Sequence, residues 1–440
     1  MFKNALIKGT FILTFTGLIT RCIGFFFRIF MSHNFGEEQM GLYQLIFPIY
    51  ALCFSISAAG IETALSRNVA KKMARGNKRE ADLMLYQSLL LSVSISLLLV
   101  FLIHKFATHL SFHILGDLRC KELICTLSYA LPFAAVHSCI CGYYLGQKKT
   151  RIPALSQLIE QVSRVGVVLL VFYFYVSSGK FPSIWIAVLG LVIGESISSM
   201  FCARYFCVHT HTAFALSAIA DKKRFREILS LAVPLTSNRL LTNLFQSIET
   251  ISIPLFLQRY GYSGSDALST YGVLTGMALP CIFFPTAITS SVSTMLLPTV
   301  AEIEAENNLV RLKLLIQKVF FFGFGLGTIC GIFFLFFGSL IGMLLFDSSL
   351  AGDFLKTLAW ICPFMYMNST LISVINGLGK ANISFLINLS GLALRIGGVW
   401  FGIPRFGMNG YLIGLLLSQL LVSLLCVTQL KLYIEKRALY

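Results

Sequence analysis

The sequence predicts an all-α, polytopic membrane protein of about twelve transmembrane helices. Three observations predict it. Of the 440 residues, 56% are hydrophobic and only 12% charged, against about 45–50% and about 25% in soluble domains. Mean hydropathy is +0.79. Apolar runs long enough to cross a bilayer, roughly 20 residues each, recur twelve times along the chain. A soluble enzyme, a disordered chain and a disulfide-stapled secreted domain are excluded.

The runs lie at 6–31, 41–60, 83–105, 123–146, 153–177, 183–206, 229–257, 269–297, 315–345, 354–376, 382–403 and 409–430. The first lacks a small-residue cleavage site and carries two arginines, so it is expected to be mature structure. The net charge of +16 comes from 35 Lys+Arg against 19 Asp+Glu. With the N-terminus in the cytoplasm and alternating spans, 23 Lys/Arg fall inside, seven outside and five within spans. That bias follows the positive-inside rule and places both termini in the cytoplasm of a cell-membrane protein. The charge therefore reports topology and anionic lipid, not nucleic acid. Between spans two and three, Ile61, Leu65, Val69 and Met73 recur every four residues among basic positions. That pattern fits an amphipathic helix on the inner leaflet or a solvated basic loop.

The chain contains an internal repeat. Residues 126–168 align without a gap to 357–399, and 13 of 43 positions are identical, where chance in this composition gives roughly three. The matches include Pro132/Pro363, Gly146/Gly377, Lys149/Lys380 and Arg164/Arg395. An offset of six spans preserves orientation, so the halves are expected to be two parallel six-helix lobes, 1–212 and 213–440, joined by a basic segment around 207–228. Paired lobes of this kind suit a transporter with its substrate site between them near the midplane. Nothing resembles a channel filter. No HExxH, GxSxG or surface His/Asp cluster points to an enzyme. The 12 cysteines show no metal-ligand spacing and read as small core residues. No cofactor and no metal are expected.

Charges within the spans carry the functional signal, because each is costly in hydrocarbon and needs a cavity or a partner. They are Arg21, Arg28, Arg164, Arg239 and Arg395, with Glu160, Glu195 and Glu249. Surplus guanidinium suits an anionic ligand, phosphate above all. Arg21 and Arg28 are seven apart and share one face of span one, about 10 Å apart. Arg21 is deep in the span, a ligand-binding candidate or one half of an ion pair. Arg28 is near the outer end, where it binds ligand or snorkels to headgroups. Arg239 is a further binding candidate in span seven. Glu160 precedes Arg164 by four residues, the favourable order for a helical pair. At the matching position before Arg395 stands Gly391, so Arg395 needs a partner across helices or a ligand. Glu249 is a candidate coupling site for H+ or Na+, or a partner for Arg21. Glu195, midway along span six, is a coupling candidate or a protonated structural group. Gly272, Gly276, Pro280 and Pro285 break span eight. Gly323, Gly325, Gly327 and Gly331 in span nine suit hinges for alternating access.

Several stretches resemble a known family. Thr20-Arg21-Cys22-Ile23-Gly24-Phe25-Phe26-Phe27-Arg28 resembles the first-helix motif R-x-x-G-F-x-x-R of the multidrug/oligosaccharidyl-lipid/polysaccharide flippase superfamily. Gly142 to Gln147, Ser156 to Arg164, Tyr271-Gly272, Leu274 to Pro280 and Asn376 to Lys380 resemble its stage V sporulation protein B branch. The resemblance runs along the whole chain. It implies a flippase for an undecaprenyl-diphosphate-linked oligosaccharide, of the peptidoglycan-precursor (lipid II) type, serving cell-wall or spore-cortex synthesis. The partners implied are that lipid, membrane lipids and a driving H+ or Na+, for a monomer. First-helix arginines are functional in the lipid II flippases, which carries over to Arg21 and Arg28. Those flippases also place an arginine in span two, and Gly41 to Gly60 has none. The relatives usually have fourteen spans, against twelve here. The alternatives are a multidrug or cation antiporter of the same superfamily and an exporter of another lipid-linked polysaccharide.

Overall fold

A computed structural model describes residues 2–209 and 222–438. The segment expected to join the halves, 207–228, thus lies outside the described residues at 210–221. Every described element is helical. They are α1 (Phe2–Phe54), α2 (Gly60–Ala74), α3 (Lys78–His109), α4 (Cys120–Ser128), α5 (Ala130–Gly146), α6 (Arg151–Ser177), α7 (Trp185–His209), α8 (Lys222–Tyr260) and α9 (Gly264–Gly272). There follow α10 (Leu279–Phe283), α11 (Thr286–Ala305), α12 (Leu309–Phe346), α13 (Ser349–Ala359), α14 (Cys362–Gly377), α15 (Ala381–Gly397), α16 (Ile403–Phe406) and α17 (Met408–Ala438).

Among the described residues, nine helices are long and apolar enough to cross a membrane, or eleven when each of two bent pairs counts as one span. The helix Ile12–Ala74 has 63 residues, about 95 Å at 1.5 Å per residue, against a hydrocarbon core of about 30 Å. It is long enough for both of the first two expected spans. They meet at Gly36, whose φ of 79° is the left-handed conformation that glycine adopts without strain. Span eight breaks as its glycines and prolines predict. A π-helical turn, Val273–Ala278, follows α9, and the chain bends by 55° before Thr286–Ala305. The glycines of span nine behave differently. α12 is one continuous helix, and Gly323, Gly327 and Gly331 are buried against α13 and α14. They permit close helix packing there rather than a hinge.

The packing divides elsewhere than the sequence halves drawn at 212/213. One compact unit comprises Met1–Phe27 and Leu42–Ser247, the other Arg28–Gly41 and Ile248–Tyr440. In the first, Leu65, Met84, Leu85, Ile140, Tyr143, Cys202 and Phe206 form a core joining α2, α3, α5 and α7. Residues 61–74 are therefore helical, but Ile61, Leu65 and Val69 are buried against protein, not laid on a lipid leaflet. A 15-residue helix with one apolar stripe can bury it equally well against other helices. In the second unit, Val300, Leu371, Val374, Ile375, Ile387 and Cys426 form a core joining α11, α14, α15 and α17. The sequence repeat is visible in helix boundaries: α4 ends at Ser128 and α13 at Ala359, and α5 ends at Gly146 and α14 at Gly377. Each of these pairs differs by the repeat offset.

Candidate functional site

The charged residues of the spans fall into separate clusters, one set in each unit. In the first unit, Arg164 and Glu160 of α6 form the helical pair expected from their spacing, at 2.5 Å. Arg164 also approaches Gln161 at 3.4 Å. α7 runs tightly beside this pair. A Cβ on Gly194 would sit 2.9 Å from the Glu160 carbonyl oxygen, so only glycine lets the two backbones approach so closely. Glu195, next along α7, bonds His137 of α5 at 3.2 Å. Donor atoms of His137, Glu160 and Glu195 lie within 4.8 Å of one another.

The other face of the His137 ring is polar as well. Ser156 Oγ donates to the Pro153 carbonyl at 2.9 Å, and Ser198 Oγ donates to the Ser156 carbonyl at 3.0 Å. Nε2 of His137 lies 3.0 Å from Ser156 Oγ and 3.2 Å from Ser198 Oγ. The ring nitrogen and both hydroxyls are thus within hydrogen-bond reach of one another. Cys141 Sγ is 3.4 Å from Ser156 Oγ. His137, Cys141 and Cys202 bring ligand atoms within 4.8 Å. Two donor sets could thus hold a metal ion among the described residues, both sharing His137. Sequence reasoning passed over His137. The available signal was helical spacing: His137 and Cys141 are four apart on α5, and Glu195, Ser198 and Cys202 share one face of α7.

Arg21 is exposed on α1. Arg239 is exposed on α8 and donates to Thr63 Oγ1 of α2 at 3.1 Å. Both belong to the first unit.

The second unit holds Arg28, Glu249 and Arg395. Glu249 of α8 is 3% exposed and is bound by Arg395 of α15 through two nitrogens, with Nε 2.8 Å from Oε1. Tyr411 of α17 donates to the same Oε1 at 2.8 Å. Arg395, which lacks a local acid, finds it across helices. Two of its guanidinium nitrogens, Nε and one terminal nitrogen, bind this carboxylate. Gly391 stands where the first half has Glu160, and a Cβ there would press on Val422 of α17. Arg28 is half-buried and approaches the Thr275 carbonyl, within the π-helical turn, at 3.5 Å.

Comparison with known proteins agrees with this architecture. The family model described as polysaccharide biosynthesis protein matches residues 6–304, more than half of the chain, and the MatE model matches 239–401. The chain is 27% identical over 431 residues to stage V sporulation protein B of Bacillus subtilis, covering 97% of this chain and 83% of that protein. It is 23% identical over 337 residues to lipid II flippase MurJ of the same organism, covering 72% and 61%. Among solved structures, an inward-facing multidrug-resistance MATE transporter superposes with a TM-score of 0.72 at 16% identity, covering 96% of this chain and 95% of that one. Lipid II flippase MurJ in an inward closed conformation superposes at 0.73 with 15% identity, covering 95% and 87%. The chain is thus a multi-pass membrane protein of the polysaccharide biosynthesis protein family, within the multidrug/oligosaccharidyl-lipid/polysaccharide flippase superfamily.

Proposed function

We propose that the protein is a flippase that carries a lipid-linked, diphosphate-bearing oligosaccharide across the cytoplasmic membrane by alternating access. The observation that carries this reading is Arg21: an exposed arginine within a membrane-crossing stretch of a chain similar to proteins named as lipid II flippases. Ionisable residues within spans mark substrate and ion pathways, and the planar fork of an arginine matches phosphate oxygens. Arg239, also exposed, is a further binding candidate in the first unit. Arg164 and Arg395 are assigned to structure because each is bound by a carboxylate. The cargo class is a peptidoglycan precursor, by likeness to stage V sporulation protein B and the lipid II flippase. Both termini face the cytoplasm, and H+, Na+ or the membrane potential drives the cycle.

A cation antiporter needs acids facing its ligand. Glu249 is buried and bound by Arg395 and Tyr411, which argues against that reading despite the MatE match. Complementation of a strain depleted of its lipid flippase tests the proposal. Arg21→Ala should abolish rescue while the protein remains in the membrane at the wild-type level. Rescue equal to wild type would remove Arg21 from the binding machinery. Native mass spectrometry of lipids that co-purify should detect a polyprenyl-diphosphate glycan and identify its sugar.

A further inference from the structure

We infer that the first unit contains a binding site for a divalent transition-metal ion of the Zn2+ type, formed by His137 Nε2, Cys141 Sγ and Cys202 Sγ. This inference is independent of the flippase reading and concerns residues that reading does not use. Three observations carry it. The three donor groups come from α5 and α7, are buried or half-buried, and lie within 4.8 Å of one another. Zn–S bonds of about 2.3 Å and Zn–N bonds of about 2.0–2.1 Å place tetrahedral donors roughly 3.5–3.8 Å apart. Closing the cluster onto an ion therefore takes shifts of about 1 Å, within reach of side-chain rotation.

The second observation is the chemistry of the set. One imidazole and two thiolates prefer zinc-like ions over Na+, Mg2+ or Ca2+, which take oxygen ligands. Two thiolates also cancel the charge of a divalent ion, as a site inside a membrane helix bundle requires. The third is the support behind the histidine. Glu195 holds Nδ1 at 3.2 Å, the carboxylate–histidine arrangement that orients a metal-binding imidazole and leaves Nε2 as the ligand atom. Nε2 faces the Ser156 and Ser198 hydroxyls, and Cys141 borders the same Ser156 hydroxyl. The ion binds Nε2 in its unprotonated form and displaces one proton from each thiol, so binding releases protons and weakens at low pH. Ser156 Oγ or water is available as a fourth ligand.

The test uses the full chain, purified in detergent with its affinity tag removed. Titration with Co2+ should give one equivalent of binding, with a thiolate-to-cobalt charge-transfer band and the visible bands of tetrahedral cobalt. Zn2+ should displace it and raise the melting temperature. His137→Gln, Cys141→Ser and Cys202→Ser should each abolish the charge-transfer band or reduce it to a single-thiolate intensity. Cys139→Ser, two residues away on another face of α5, should leave it intact and control for folding. Glu195→Gln should keep the band position and weaken affinity by about 10–100-fold. A monodisperse wild-type protein that shows no thiolate–cobalt band overturns the proposal. So does a band that survives Cys141→Ser and Cys202→Ser together. So does a Cys141–Cys202 disulfide that persists under mild reductant.

Discussion

Arg164 and Arg395 occupy matching positions of the repeat, 231 residues apart, and each is neutralised in a different way. Arg164 takes its acid from its own helix, one turn back, and both side chains keep some exposure, 20% and 16%. Arg395 has Gly391 at that place and draws Glu249 from α8, with Tyr411 of α17 completing the cluster. The difference concerns when each contact forms. Membrane helices exist before they pack together, so the Arg164–Glu160 pair is available in an isolated α6. The Arg395–Glu249–Tyr411 cluster exists only once α8, α15 and α17 have assembled. One arginine is settled by its own helix; the other depends on the packing of the second unit.

The largest effect should therefore fall on Glu249. Glu249→Gln leaves a guanidinium that is 25% exposed without its countercharge. Removing one partner of a buried pair costs about 3–5 kcal/mol. Thermal melting in detergent should show a large drop for this variant, with the first unit's limited-proteolysis pattern preserved. An unchanged midpoint would falsify the cross-helix role of the pair. Tyr411→Phe should cost less, about 1.5–3 kcal/mol, the range for a hydrogen bond to a charged group, because Glu249 keeps Arg395. If Tyr411→Phe matched Glu249→Gln, the tyrosine rather than the ion pair would be the main tie.

This contrast also explains how much was legible in the sequence. The apolar runs, the break in span eight and the Glu160–Arg164 pair rest on local spacing, and the sequence displays local spacing directly. The repeat was legible because it compares the chain with itself. The partner of Arg395 was not, because Glu249 lies 146 residues away and several unpaired charges were available to it. His137 escaped attention for a similar reason. Its hydrogen-bond partners stand on two other helices, α6 and α7, and its own repeat counterpart is Asn368, which bonds Gln419 and Ser423 in the second unit. The burial of α2 was ambiguous because one apolar stripe fits lipid and protein equally well. The glycines of α12 were ambiguous because small residues serve both hinges and close packing.

The smallest effect should come from Glu160→Gln, and it tests the comparison most directly. The pair lies one turn apart on α6, and Gln161 offers Arg164 a second contact. A stability measurement registers only interactions that differ between the packed protein and its reference state. Here the reference is a set of separate helices in detergent or lipid, in which residues 160 and 164 are already neighbours. Most of the pair's energy then cancels, leaving about 1 kcal/mol, the usual net value for one hydrogen bond. Restoring that geometry in the other half should not succeed. Gly391→Glu in the Glu249→Gln background supplies an acid one turn before Arg395, but its Cβ meets Val422, and overpacking costs about 1–3 kcal/mol. The double variant should melt no higher than Glu249→Gln alone. If it melts near wild type, a helix-local carboxylate can replace the cross-helix one, and the two arginine sites are equivalent after all.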